Sequence, residues 1–113
     1  SSRVPAQDEL LIVKFREQFL LFADRPIQHW SYQAENKAQI QASAHWIQAA
    51  PNRWLLAPAS MLDPCFDPAK GQALGLRHGE IWTLYRADAL RPACQQATAE
   101  LSPYRYLPQH GYQ

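Results

Sequence analysis

Four histidines, two cysteines and two aspartates that bracket one of those cysteines are the side chains of this 113-residue chain best suited to metal binding, proton transfer or nucleophilic attack. Asp63 and Asp67 flank Cys65 in the stretch Asp63-Pro64-Cys65-Phe66-Asp67. Two carboxylates so placed suit a hard cation, but Pro64 and Pro68 interrupt the segment, and a calcium loop needs more oxygens in register. Asp-Pro pairs are ordinary turn formers, so the stretch reads as a loop and no metal site is expected. None of His29, His45, His78 and His110 stands in zinc-like spacing with a cysteine, and neither HExxH nor CxxC occurs. His29 beside Trp30 either lines a pocket or is an ordinary strand histidine. His45 belongs to the polar side of a helix, and His78 to a turn. There is no GxSxG elbow for an acyl-transfer serine. With only four glycines, the chain has no phosphate-cradling loop. No cofactor is expected, and no constellation marks the chain as catalytic on its own.

Cys65 and Cys94 allow two readings: a pair of buried thiols, or a disulfide tying a proline-rich loop to the C-terminal segment. An even count fits either. If bonded, the pair closes a loop of ~30 residues, worth roughly 3–4 kcal/mol in the chain-entropy model, and requires an oxidising compartment.

The elements that would position these groups follow from periodicity. Residues 1–9, polar and with a proline, read as a linker. Leu10–Phe15 is a short, partly β-branched apolar run suited to a buried strand. Arg16–Ala23 suits a short helix, stopped where Pro26 pushes its predecessor out of the α region. Pro26–Tyr32 alternates imperfectly and reads as a strand. Asn36 and Gln39 form a capping-box-like pair opening a helix whose stripe is Ile40, Ala44 and Ile47, with Trp46 beside it. Gln39, Gln41, His45 and Gln48 fall outside that stripe, and Pro51 closes the helix. Arg53–Ala57 reads as an apolar strand, and its short spacing from the helix implies an αβ unit and a partly parallel sheet. Pro58–Gly71 is a loop with a helical turn at Ser60–Asp63. Ala73–Arg77 and Glu80–Arg86 pair as a hairpin, with Gly79 free to take the positive φ of the turn. Asp88–Leu101 suits a short helix after Pro92. Residues 102–113 read as a weakly ordered tail, or one packed through Tyr104 and Tyr106. The fold class expected is α/β: one domain over residues 10–101, with a small mixed sheet of about four or five strands and two or three helices, ending in a β-hairpin.

Bulk properties narrow the function classes. The chain is 47% hydrophobic and 19% charged, the balance of a globular domain. A net charge of +1, with no two Lys or Arg adjacent, argues against nucleic acid as a partner and against a polybasic membrane anchor. No apolar stretch reaches the ~20 residues of a spanning helix. No signal peptide is visible, and the chain opens Ser1-Ser2-Arg3 rather than on Met, which reads as a processed product or a piece of a longer chain.

The segments QFLLFADRPIQHWSYQ (18–33), AHWIQAAPNRWLLAPAS (44–60) and LGLRHGEIWTLYR (74–86) together resemble the soluble C-terminal domain of bacterial membrane glycosyltransferases, the aminoarabinose (lipid A) transferase and protein O-mannosyltransferase-like family. The resemblance rests on element order and on aromatic and Arg-Pro punctuation. It implies a parent enzyme of the inner membrane that uses a polyprenyl-phosphate-linked sugar, whose catalytic acids lie in a membrane portion that nothing in this chain matches. It implies a periplasmic location, a supporting role, and as partners the membrane domain of the same parent chain and a sugar or lipid-linked acceptor. A periplasmic setting favours the Cys65–Cys94 bond. Arg25, His29, Trp30 and Trp82 are the ligand-contact candidates, because cationic and aromatic groups suit phosphate and sugar. Core packing is the competing role for all four. The alternative function is a free-standing module that binds a protein or peptide at a sheet edge.

Overall fold

The computed structural model describes residues 4–14, 25–30, 34–77, 79–97 and 101–106. It is an α/β fold built on one six-stranded mixed sheet. The strands are β1 (Glu9–Ile12), β2 (Ile27–His29), β3 (Arg53–Pro58), β4 (Gln72–Arg77), β5 (Glu80–Tyr85) and β6 (Tyr104–Tyr106). Two helices, α1 (Asn36–Ala49) and α2 (Ala59–Leu62), precede and follow β3. The spatial order is β4-β5-β3-β1-β2-β6. β1 lies parallel to both β2 and β3, and the outer pairings β3–β5, β4–β5 and β2–β6 are antiparallel.

β1 is central because its residues are apolar without alternation. Leu10, Leu11 and Ile12 are all buried, as a parallel strand covered on both faces requires. Alternation then divides the core in two. Leu11, Leu55, Ala57 and Tyr85 join Trp46, Ile47 and Ala44 of α1 on one face. Leu10, Ile12, Ile27, Leu56, Trp82 and Leu84 gather with Val4 on the other.

The α1 stripe forms as its periodicity predicts, with Ala44, Trp46 and Ile47 buried and Ile40 packed against them. Its start differs. Glu35 holds the N-cap position without a side-chain cap, and Asn36 is the first helical residue. Gln39 is buried: its Nε2 donates to the Ala34 carbonyl at 3.0 Å, and its Oε1 accepts from the Lys14 N–H at 3.4 Å. Thus a side chain expected on the polar face ties the helix to the end of β1. Lys14 itself has φ 59°, a left-handed conformation uncommon for a side chain other than Gly, Asn or Asp.

Three further expectations are revised. Residues 4–8, read as linker, are docked: Val4 is buried, and Arg25 takes three backbone carbonyls of the segment. In the described part of 88–101 the expected helix is replaced by 3-10 turns at Ala87–Ala89 and Pro92–Cys94, and residues 98–100 lie outside the described residues. There, Asp67 N–H donates to the Ala89 carbonyl and Arg91 N–H to the Cys65 carbonyl, which holds the chain extended between the turns. The sheet has one strand more than expected, since Tyr104–Tyr106 pairs with β2 and the β4–β5 hairpin is not the last element. Aromatic residues alternating about Arg105 suit so short an edge strand. The hairpin itself forms, with Gly79 at φ 78°. The short helix expected at Arg16–Ala23 lies outside the described residues, as do His110 and residues 107–113.

Candidate functional site

Two consecutive acidic residues at the start of β1 fix two consecutive residues at the start of β3. Glu9 Oε1 accepts from Arg53 Nε at 3.1 Å. Asp8 Oδ2 accepts from Trp54 Nε1 at 2.9 Å. Because side chains alternate along a strand, the two interactions lie on opposite faces of the sheet. On the α1 face, Arg53 also donates from Nη1 to the Trp46 carbonyl at 2.7 Å and lies 4.5 Å from the centre of the Trp46 ring. On the other face, the guanidinium of Arg86, at the end of β5, lies 4.7 Å from the centre of the Trp54 ring. The result is two arginine–indole stacks straddling one end of the sheet, each oriented by a carboxylate.

The two arginines also line a cleft of about 410 Å³, together with Ile47, Asn52, Ala87 and Asp88. Asn52 turns the chain into β3 with φ 62°, a conformation asparagine tolerates better than most residues. The charges of the cleft differ in how they are compensated. Glu9 also accepts from Gln28 Nε2 at 2.7 Å. Burial pushes its carboxyl up, but the bonds from Arg53 and Gln28 outweigh that and hold it below the usual carboxylate range. Arg53 is therefore ion-paired through Nε, with Nη1 on the Trp46 carbonyl. Arg86 is exposed and forms no ion pair among the described residues, not even with Asp88.

The four ligand-contact candidates do not converge. Arg25 is buried and directed inward: Nη1 donates to the Val4 carbonyl at 2.7 Å, and Nη2 to those of Pro5 and Asp8. Trp30 is buried on the α1 face, where Nε1 donates to Ser43 Oγ at 2.8 Å. Trp82 is buried in the opposite core. Those three serve packing. His29 is half-buried. Its ring stacks on Tyr104 with centroids 5.7 Å apart, and its Nδ1 lies 3.3 Å from the Trp30 carbonyl.

Cys65 and Cys94 are bonded, with Cα atoms 5.5 Å apart. The flanking aspartates serve structure. Asp63 pairs with Arg91 at 3.1 Å, and Asp67 accepts from the Ala69 N–H to open a 3-10 turn. Among the described residues, no group of three His, Cys, Asp or Glu side chains comes together as metal ligands. No helix among them is long and apolar enough to cross a membrane.

Arg53 and Arg86 were not singled out by the sequence reading. Each adjoins an aromatic residue, Trp54 and Tyr85, at the end of an apolar strand, and that pattern was the available signal. No family model, curated protein or solved structure matches the chain.

Proposed function

We propose that this chain is a non-catalytic periplasmic domain of a bacterial inner-membrane glycosyltransferase that uses a polyprenyl-phosphate-linked sugar. Its role is to assist acceptor access or to cap the membrane active site. The observation that carries the reading is the Cys65–Cys94 disulfide, because such bonds persist in oxidising compartments and are rare where thiols are kept reduced. The resemblance of the stretches from Gln18 to Arg86 to the soluble domains of that enzyme family supplies the parent. In this reading, the membrane domain of the same parent chain is the partner, and a sugar or lipid-linked acceptor passes between them. The mixed sheet is a rigid support, and its faces are occupied by core rather than by reacting groups.

The test is the gene. A multi-span membrane region encoded directly ahead of Ser1 is the expected finding. In the intact enzyme, deleting this domain should lower transfer to the acceptor while leaving the membrane catalytic acids in place. A reading frame that starts near Ser1 with no membrane region overturns the proposal.

A second reading, a module that binds a protein or peptide at a sheet edge, has one observation in its favour. Leu76 of the edge strand β4 is 69% exposed, and Ile81, its partner across the hairpin, is 53% exposed. A complete short reading frame with its own signal peptide would favour it.

A further inference from the structure

We infer that the cleft between the end of α1, the start of β3 and the turn after β5 binds a phosphate monoester or diester, with Arg86 as the primary contact and Arg53 behind it. This inference does not rest on the parent-enzyme reading and can fail or stand without it.

The case begins with what stacking leaves free. A guanidinium lying over an indole uses its π face, so its N–H edges remain available for bidentate bonds to an oxyanion. Arg86 spends none of those edges on a described residue. Its platform is fixed, since Trp54 is held by the Asp8 carboxylate at 2.9 Å and cannot turn away without breaking that bond. An exposed arginine normally loses rotamer freedom on binding a ligand, and here the indole already restricts it. Arg53 adds a second donor. Its Nε and Nη1 are engaged by Glu9 and by the Trp46 carbonyl, while Nη2 has no described partner.

Shape favours phosphate over carboxylate. Arg53 and Arg86 both line the cleft, and they stack on indoles of opposite faces of the sheet, so together they offer two separate forks of donors. A phosphate, with three or four oxygens around a tetrahedral centre, has acceptors for two forks, and a planar carboxylate matches one. The cleft, about 410 Å³, falls within the range of roughly 300–1,000 Å³ of small-molecule sites, larger than a bare ion needs. Asp88 and Asn52 line the remainder and offer acceptors to hydroxyls on the group that bears the phosphate. Asp88 also disfavours polyanions, and with a net charge of only +1 the molecule lacks the basic surface of a nucleic-acid binder.

The experiment is an amide-correlation NMR titration of the 113-residue chain at constant ionic strength. The probes are inorganic phosphate, glucose 1-phosphate and a short-chain phosphatidylglycerol below its micelle threshold, with acetate and chloride as controls. Saturable shifts confined to Asn52, Arg53, Ala87 and Asp88 are expected from at least one phosphate probe. Saturation by glucose 1-phosphate identifies a soluble ester as the source, and saturation by phosphatidylglycerol alone identifies a lipid headgroup. R86Q, at an exposed position, should weaken binding at least tenfold with the rest of the spectrum unchanged, and D88N should strengthen it. An undiminished response in R86Q, shifts reproduced by acetate or chloride, or absence of saturation with every phosphate probe would overturn the inference.

Discussion

The Arg25 guanidinium donates to the carbonyl oxygen of Val4 at 2.7 Å, joining residues far apart in sequence. The same group also takes the carbonyls of Pro5 and Asp8. A buried cation thus serves three backbone acceptors that strand pairing leaves over, and it anchors the segment that carries Asp8 to the Trp54 indole. Arg25→Met keeps the length and removes the donors. It should cost about 2–4 kcal/mol, because the Val4 and Asp8 carbonyls lose the guanidinium, whereas the Pro5 carbonyl keeps the Asp8 N–H. Arg25→Lys should recover only part of this, since an ammonium cannot span three acceptors with a planar fork. Urea denaturation of the three proteins reads the difference.

Gly71 is required by close approach rather than by its backbone angle. A Cβ at this position would lie 2.6 Å from Thr83 Cγ2 and 2.8 Å from Tyr85 Cε1. Both neighbours sit on β5 inside the sheet and are buried. Gly71→Ala should therefore destabilise by about 1–3 kcal/mol through overpacking. Adding Thr83→Ser should restore only part of the loss, because the Tyr85 ring remains. Thermal unfolding of the single and double variants tests this.

The indole of Trp30 and the hydroxyl of Ser43 form a buried polar pair at 2.8 Å between β2's end and α1. Ser43→Ala strands the indole N–H and should cost about 1–3 kcal/mol. In the double variant with Trp30→Phe no N–H is left unpaired. A double-mutant cycle should then show the two losses to be less than additive.

The Cys65–Cys94 bond spans 29 residues of sequence and pins the loop after α2 to the turn at Pro92–Cys94. Replacing both cysteines with alanine should lower stability by about 3–4 kcal/mol in the chain-entropy model. Thiol titration of the denatured, unreduced wild-type protein should find no free thiol. Two free thiols in protein prepared under oxidising conditions would remove the main support for an extracytoplasmic location.

Stability should fall at both ends of the pH scale, for opposite reasons. Glu9 is held below the usual carboxylate range, with the Arg53 and Gln28 bonds outweighing burial. Its contribution is present above the unfolded pKa of about 4.3 and is lost as pH falls through the lower folded value. Glu9→Gln should flatten that acid limb. Tyr85 is pushed up, first by burial and then by the Asp63 carboxylate. Its contribution is present below the unfolded pKa of about 10 and is lost as pH rises through the higher folded value. Spectrophotometric titration at alkaline pH should show Tyr85 ionising late, a lagging step that Tyr85→Phe should remove.

Much of the sheet was legible because its signals are local. The apolar run of β1, the α1 stripe and the Gly79 turn each depend on residues close in sequence. What was hidden depends on distant partners. Gln39 counts as polar on a helical wheel, yet it is buried because the Lys14 N–H needs an acceptor. Residues 4–8 look like linker until Arg25 requires their carbonyls. Trp30 and Trp82 suggest ligand contacts by type, and nothing nearby in sequence reveals that each fills a separate core. Arg53 and Arg86 gain meaning only when β3 and β5 pair and place their stacks on opposite faces.

Among the described residues, the strand latest in sequence is also the one that seals β2. Ile27 pairs with Tyr106 and His29 with Tyr104, so until the chain has been made through residue 106, β2 presents an open ladder. Nascent molecules, or molecules cleaved ahead of Tyr104, therefore expose an unpaired strand edge, the kind that recruits other chains into aggregates. Cleavage ahead of Tyr104, which removes β6, should then show itself first as poor yield and oligomer formation rather than as a lower melting temperature.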